Sequence, residues 1–128
     1  MVDEAGLPVR LLITPGQASD KVSVPALLEG LPAADALVAD RGYDSDAILA
    51  LVTQRGSTAH IPSTAQRRIA RPVPPAIYRQ RSLVERFFCK LKQFRRIATR
   101  FDKLARNYLA ALYLSATRIW LRQVESTP

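Results

Sequence analysis

The sequence is poor in residues that cross-link a chain or anchor it in a membrane. Among 128 residues there is one cysteine, Cys89, and one histidine, His60. A single cysteine excludes a disulfide framework and points to a reducing, cytosolic setting. A Cys–His nucleophile is disfavoured too, because the only histidine lies far away at the end of an apolar strand pattern. Met1 is followed by acids rather than by a basic then apolar run, so no signal peptide is expected. The apolar stretch near the C-terminus is broken by Arg118 and Arg122, so no membrane partner is expected either. No Gly/Ser or Pro tract is long enough to be disordered by composition, and no internal repeat is present. Nearly half of the residues are apolar, and the length suits one globular domain or part of one.

Acids are also scarce in one region. Between Arg67 and Arg106 thirteen Lys/Arg face only Glu85 and Asp102, whereas eight acids and four bases precede Arg67. The formal charge of +8 is therefore a localised footprint, which suits a polyphosphate partner. A basic amphipathic helix could also lie on an anionic membrane or bind an acidic protein. The acidic half supplies something the membrane reading does not use, and nucleic acid is the favoured partner.

Taken in order, the chain alternates short apolar runs with helical patterns. Leu7 to Thr14 reads as a strand closed by Pro15-Gly16, with Val2 ending a preceding strand and Asp3 to Gly6 as the hairpin turn. Ser19 or Asp20 can cap a helix over Val22 to Leu31. Ala36 to Ala39 is a buried strand that stops at Asp40. Arg41-Gly42-Tyr43 then departs sharply, and Asp44 or Ser45 caps a helix over Asp46 to Gln54 that Gly56 ends. Ser57 to Pro62 is a further strand. Ser63 to Ala76 reads as a loop without packing power of its own. Ile77 to Phe94 is expected to be one helix, Thr99 to Lys103 a bend, and Leu104 to Leu121 a last helix that is apolar on most of its circumference and could serve as core or as a homo-oligomer face. Such alternation predicts an α/β layered domain: a strand and helix half over 1–62, a loop over 63–76 and a basic helical half over 77–122.

Two places carry candidate chemistry. Asp40 follows a buried strand, where α/β domains put their sites, and the next helix has better caps in Asp44 and Ser45. Tyr43 is expected to pack rather than react. In the Ile77 to Phe94 helix, about 100° per residue puts Tyr78, Arg81, Glu85 and Lys92 within a wedge of roughly 60°. Leu83, Phe87, Leu91 and Phe94 fall on the opposite side. Two carboxylates among cations suit hard, oxygen-preferring Mg²⁺ or Mn²⁺ bridged to a phosphodiester. In a two-metal site one ion activates the attacking hydroxyl and the other stabilises the leaving oxygen, and two acids are too few to hold both. A third carboxylate is expected.

The Tyr-x₂-Arg-x₃-Glu-x₆-Lys spacing of Tyr78, Arg81, Glu85 and Lys92 resembles the signature of the DDE transposases of bacterial insertion sequences. Thr14 to Ala18, Ala39 to Asp44, and Phe94 to Arg100 extend the likeness over almost the whole chain, and it is similar to the C-terminal part of the insertion-sequence-five type in the insertion-sequence-four/five superfamily. The resemblance implies a ribonuclease H-like fold with C-terminal helices, truncated at its N-terminus so that the first strand and first catalytic Asp are missing. It implies Asp40 and Glu85 as catalytic, metal-binding acids, Mg²⁺ or Mn²⁺ as cofactor, and DNA as partner. Tyr78, Arg81 and Lys92 would contact DNA near the cut, and Arg95, Arg96 and Arg100 would widen the backbone-binding surface. The implied location is the bacterial cytoplasm, at the nucleoid. The implied activity is DNA strand cleavage and strand transfer, absent from the chain alone for want of the first Asp. A non-catalytic DNA-binding remnant or regulator is the alternative.

Overall fold

In the computed structural model, which describes residues 1–126, the chain forms two units. One is Thr14–Arg81; the other joins Met1–Ile13 to the chain from Ser82 onward. Among the described residues no helix is long and apolar enough to cross a membrane.

The Thr14–Arg81 unit contains a small parallel sheet. Strand β1 (Ala36–Val38) pairs with β2 (Thr58–His60) in the register Ala36–Thr58, Leu37–Ala59, Val38–His60. Parallel strands need a crossover, and the helix between them supplies it. Ahead of the sheet, a 3-10 turn, Asp20–Ser23, leads into α1 (Val24–Leu28). Between the strands, a second 3-10 turn, Arg41–Tyr43, precedes α2 (Asp46–Gln54). Ser45 caps α2 by accepting the Ile48 N–H at 3.2 Å, and Ile48 and Val52 point into the core. Gly56, at φ 77°, closes α2 in a Schellman motif: its N–H bonds Thr53 O and the next N–H, of Ser57, bonds Val52 O.

Three expectations for this unit change. The strand expected to be buried over Ala36 to Ala39 has Ala36 exposed and Leu37, Val38 and Ala39 only half-buried, because a single partner strand leaves much of its surface uncovered. The helix expected over Val22 to Leu31 is shorter, because the backbone leaves the helical region at Glu29 (ψ 131°) and Gly30 turns at φ 67°. The Ser63 to Ala76 segment, expected to lack packing of its own, is fastened by ion pairs. Asp44 has no exposed side-chain surface, accepts the Thr64 N–H at 2.7 Å, and holds Arg67 at 2.8 Å and Arg71 at 2.5 Å. Arg67 also reaches Asp46 at 2.6 Å, and Lys21 donates to the Asp44 carbonyl.

In the other unit the Asp3 to Gly6 turn forms as expected. The Asp3 carboxylate accepts the N–H groups of Ala5 and Leu7, Gly6 sits at φ 76°, and Val2 bridges Pro8 in antiparallel fashion. The strand expected over Leu7 to Thr14 goes no further than that bridge. Pro8 has no N–H to donate, and the carbonyls of Pro8 and Leu11 accept from Trp120 Nε1 at 2.8 Å and Tyr113 Oη at 3.3 Å. Leu7 and Leu11 instead join the core of Phe87, Leu91, Ile97, Leu112, Ala116 and Ile119. Each of the leucine, isoleucine and phenylalanine side chains taken from water contributes roughly 1.5–3 kcal/mol.

The single helix expected over Ile77 to Phe94 is three pieces: α3 (Pro75–Tyr78), a 3-10 turn at Arg79–Arg81, and α4 (Ser82–Lys92). Ile77, Tyr78 and Arg81 are only half-buried, so packing holds these pieces to the α-helical period less firmly than it holds α4 at Phe87 and Leu91. Phe94, with extended backbone, instead heads α5 (Arg95–Ala98). The last helix, α6 (Ala105–Glu125), buries Leu112, Ser115, Ala116 and Ile119, while Leu114, Leu121 and Val124 stay exposed.

Candidate catalytic and nucleic-acid site

Asp40 lies two residues beyond the C-terminal end of β1, at the sheet edge. It is exposed, and its Oδ1 accepts the Gly42 N–H at 2.8 Å, which caps the Arg41–Tyr43 turn. Asp40 thus has a structural duty that the sequence pattern did not assign it. A Cβ on Gly42 would stand 2.8 Å from that same oxygen, so the turn is compatible with glycine alone unless the carboxylate moves. Tyr43 is half-buried; burial first, then the charges of Asp20 and Asp40, raise its hydroxyl above the ordinary phenol range, which suits a packing role.

Glu85 and Lys92 sit on α4, both exposed. Their separation of seven residues is close to two turns, so they share one face. Phe87 and Leu91 hold the opposite face in the core, at 2% and 3% exposure. Tyr78 and Arg81 are half-buried, and the Arg81 guanidinium lies 5.9 Å from the Tyr78 ring centroid, within cation–π range. Because a 3-10 turn winds more tightly than an α-helix, the angular relation computed on one continuous helix does not carry across Arg79–Arg81. Asp40, Tyr78 and Arg81 belong to the Thr14–Arg81 unit, while Glu85, Lys92, Arg95 and Arg96 belong to the other.

The cations are not equivalent. Arg95 is exposed at the start of α5. Arg96 is also exposed, but its fork is occupied: Nε and Nη2 donate to the Asp102 carboxylate at 2.7 and 2.8 Å. That pairing first, and the attraction of the two charges, hold Asp102 below and Arg96 above their usual ranges. Arg67 and Arg71, which lie within the basic footprint, are turned to Asp44, whose acidity is raised far beyond the usual carboxylate range by Arg67 foremost. Sequence spacing carries no signal for these pairings, which span 23 and 27 residues. What remains is still basic: the unit holding α4 to α6 has eleven Lys/Arg against five acids.

Asp40 and Glu85 have the hard oxygen donors that Mg²⁺ or Mn²⁺ prefers. Among the described residues, however, no group of three or more acidic, histidine or cysteine side chains is placed to hold a metal ion. The donor chemistry of the two acids fits the ion.

Comparison with known proteins adds a second line of observation. Residues 37–122 match the family model described as "Transposase DDE domain". The chain is 35% identical over 123 residues to a Brucella ovis protein named "Putative transposase for insertion sequence element IS6501", covering 95% of each chain. No solved structure matches.

Proposed function

The chain belongs to the transposase DDE-domain family, and on that premise we propose that it acts on DNA at the ends of an insertion sequence, in strand cleavage and strand transfer. The observation that carries this reading is the exposed pair Glu85 and Lys92 on one face of α4, with the matching Tyr78 and Arg81 upstream. Asp40 and Glu85 are the two acids the chain contributes to catalysis, on a ribonuclease H-like framework of the insertion-sequence-five type. Lys92 offers a point charge to a phosphate, Arg81 a planar fork and Tyr78 a ring or hydroxyl. Arg95 and, less strongly, Arg96 extend the contact along the backbone. Mg²⁺ or Mn²⁺, when bound, would supply charge neutralisation at the phosphodiester.

A non-catalytic, DNA-binding or regulatory role is the second reading, and the exposed cations Lys92 and Arg95 serve it as well as they serve catalysis. Incubation with insertion-sequence-end DNA and Mg²⁺ or Mn²⁺ separates the two. The catalytic reading expects nicking that Asp40→Ala and Glu85→Ala each abolish while binding persists. Binding without nicking, also after addition of a protein segment bearing a third acid, leaves the regulatory role. Absence of binding removes both.

A further inference from the structure

The chain builds the same helix-ending motif twice, and the second copy is made at a disadvantage. Helix α2 ends on Gly56, the residue that adopts the left-handed conformation at no steric cost. Helix α5 ends with the same pair of hydrogen bonds, Arg100 N–H to Ile97 O and Phe101 N–H to Arg96 O, yet the left-handed position is filled by Arg100 at φ 48°. Among the described residues Arg100 is the only non-glycine with positive φ. An arginine there strains the backbone where glycine would not.

The strained turn displays an aromatic ring. Phe101, the residue that a Schellman motif brings against the last turn of its helix, is 67% exposed. The Arg96 guanidinium lies over the ring at 5.0 Å from its centroid. Arg96 is itself fixed through Nε and Nη2 to Asp102, whose side chain is 6% exposed, so the cation against the ring is held in place. Arg95, Arg100 and Lys103 surround the turn, all exposed. Lys103 donates to the Arg100 carbonyl at 3.3 Å, which keeps a second ammonium at the bend.

We propose that the Thr99 to Lys103 turn is a stacking platform for an unpaired base of DNA, with Phe101 as the ring and Arg100 as the phosphate contact beside it. This rests on the DNA reading above. A largely exposed ring with a guanidinium against it and further cations at the same turn matches the chemistry of single strands, in which bases stack on aromatics and the backbone follows positive charge. A duplex offers no free base face, so Phe101 adds affinity for unpaired DNA alone. Arg100 acts on both forms, because both carry phosphate.

The test measures binding of the full chain to a labelled single-stranded oligonucleotide and to the duplex of the same sequence, across a salt series. Phe101→Ala and Phe101→Leu are expected to lose roughly tenfold to a hundredfold in single-strand affinity, with duplex affinity changed less than twofold. Phe101→Trp is expected to restore single-strand binding. Leucine keeps apolar bulk at the turn, so it separates loss of the ring from loss of packing. Arg100→Gly is expected to raise the melting temperature and to weaken binding to both forms with a shallower salt slope. Wild-type single-strand affinity in Phe101→Leu, or unchanged binding in Arg100→Gly, overturns the platform while leaving the DNA reading intact. A wild-type chain that binds neither form overturns both.

Discussion

Asp44 and Arg67 lie 2.8 Å apart with the Asp44 side chain wholly out of solvent, so the basic loop after β2 is anchored by an acid from the turn before α2. Arg71 reaches the same oxygen, and its Nε is buried without a hydrogen-bond partner among the described residues. A buried carboxylate shared by two guanidiniums costs desolvation that only the complete set of bonds offsets. Asp44→Asn is therefore expected to destabilise the Thr14–Arg81 unit by about 3 kcal/mol, read as a lower midpoint in urea with unchanged slope. A midpoint within error of wild type would show that the cluster contributes nothing net.

The same group sets an acid limb. Because the folded state holds the Asp44 carboxyl far below its unfolded value, mainly through Arg67, the unfolded chain binds the proton more readily. The contribution is present in full above the ordinary aspartate range near pH ~4 and is lost as the pH falls below it. Urea midpoints of wild type and Asp44→Asn should converge on acidification. A gap that stays constant from pH 7 to pH 3 would contradict the assignment.

Partner use divides the basic footprint. Lys92 faces solvent on α4, whereas Arg67 is turned to Asp44 and Asp46. Lys92→Ala should lower the salt slope of DNA binding by about one and leave the melting temperature unchanged. Arg67→Ala should do the reverse, lowering the melting temperature while the slope holds. The exchange of these two outcomes would mean that the phosphate contacts were assigned to the wrong cations.

Gly42 tests Asp40 without touching its carboxylate. An added methyl would meet Asp40 Oδ1 at 2.8 Å, and the side chain would have to rotate and release the Gly42 N–H. Gly42→Ala is expected to cost about 1 kcal/mol of stability, the worth of one hydrogen bond. In a nicking-competent preparation it should cut the rate at least tenfold with DNA affinity unchanged. Full activity would show that the position of Asp40 in its turn does not matter to the reaction.

Much of the local structure was legible because it rests on short-range signals. The Ser45 cap, the Gly56 stop, the Asp3 to Gly6 turn and the α4 core face at Phe87 and Leu91 are each set within a few residues. The two strands β1 and β2 and the exposed Glu85 and Lys92 were legible for the same reason. What was not legible depends on long-range partners. The Asp44 clamp joins residues more than twenty apart, and the Leu7 to Thr14 run has strand composition but gives its carbonyls to Tyr113 and Trp120, over a hundred positions away. The break at Arg79–Arg81 falls where no side chain is fully buried, which periodicity alone does not reveal.

Two adjacent phenylalanines on α4 give the sharpest check on its orientation. Phe87 is 2% exposed and Phe88 52%, with ring centroids 5.7 Å apart and tilted at 52°. Truncating the first opens a cavity among Leu7, Leu91 and Ile119, members of the same core cluster; truncating the second removes a ring that already meets water. Phe87→Ala should cost about 3–5 kcal/mol, enough to unfold a marginal domain, whereas Phe88→Ala should stay within about 1 kcal/mol. If the two variants melted together, α4 would be rotated from the position that puts Glu85 and Lys92 in solvent, and the candidate site would lose its helix.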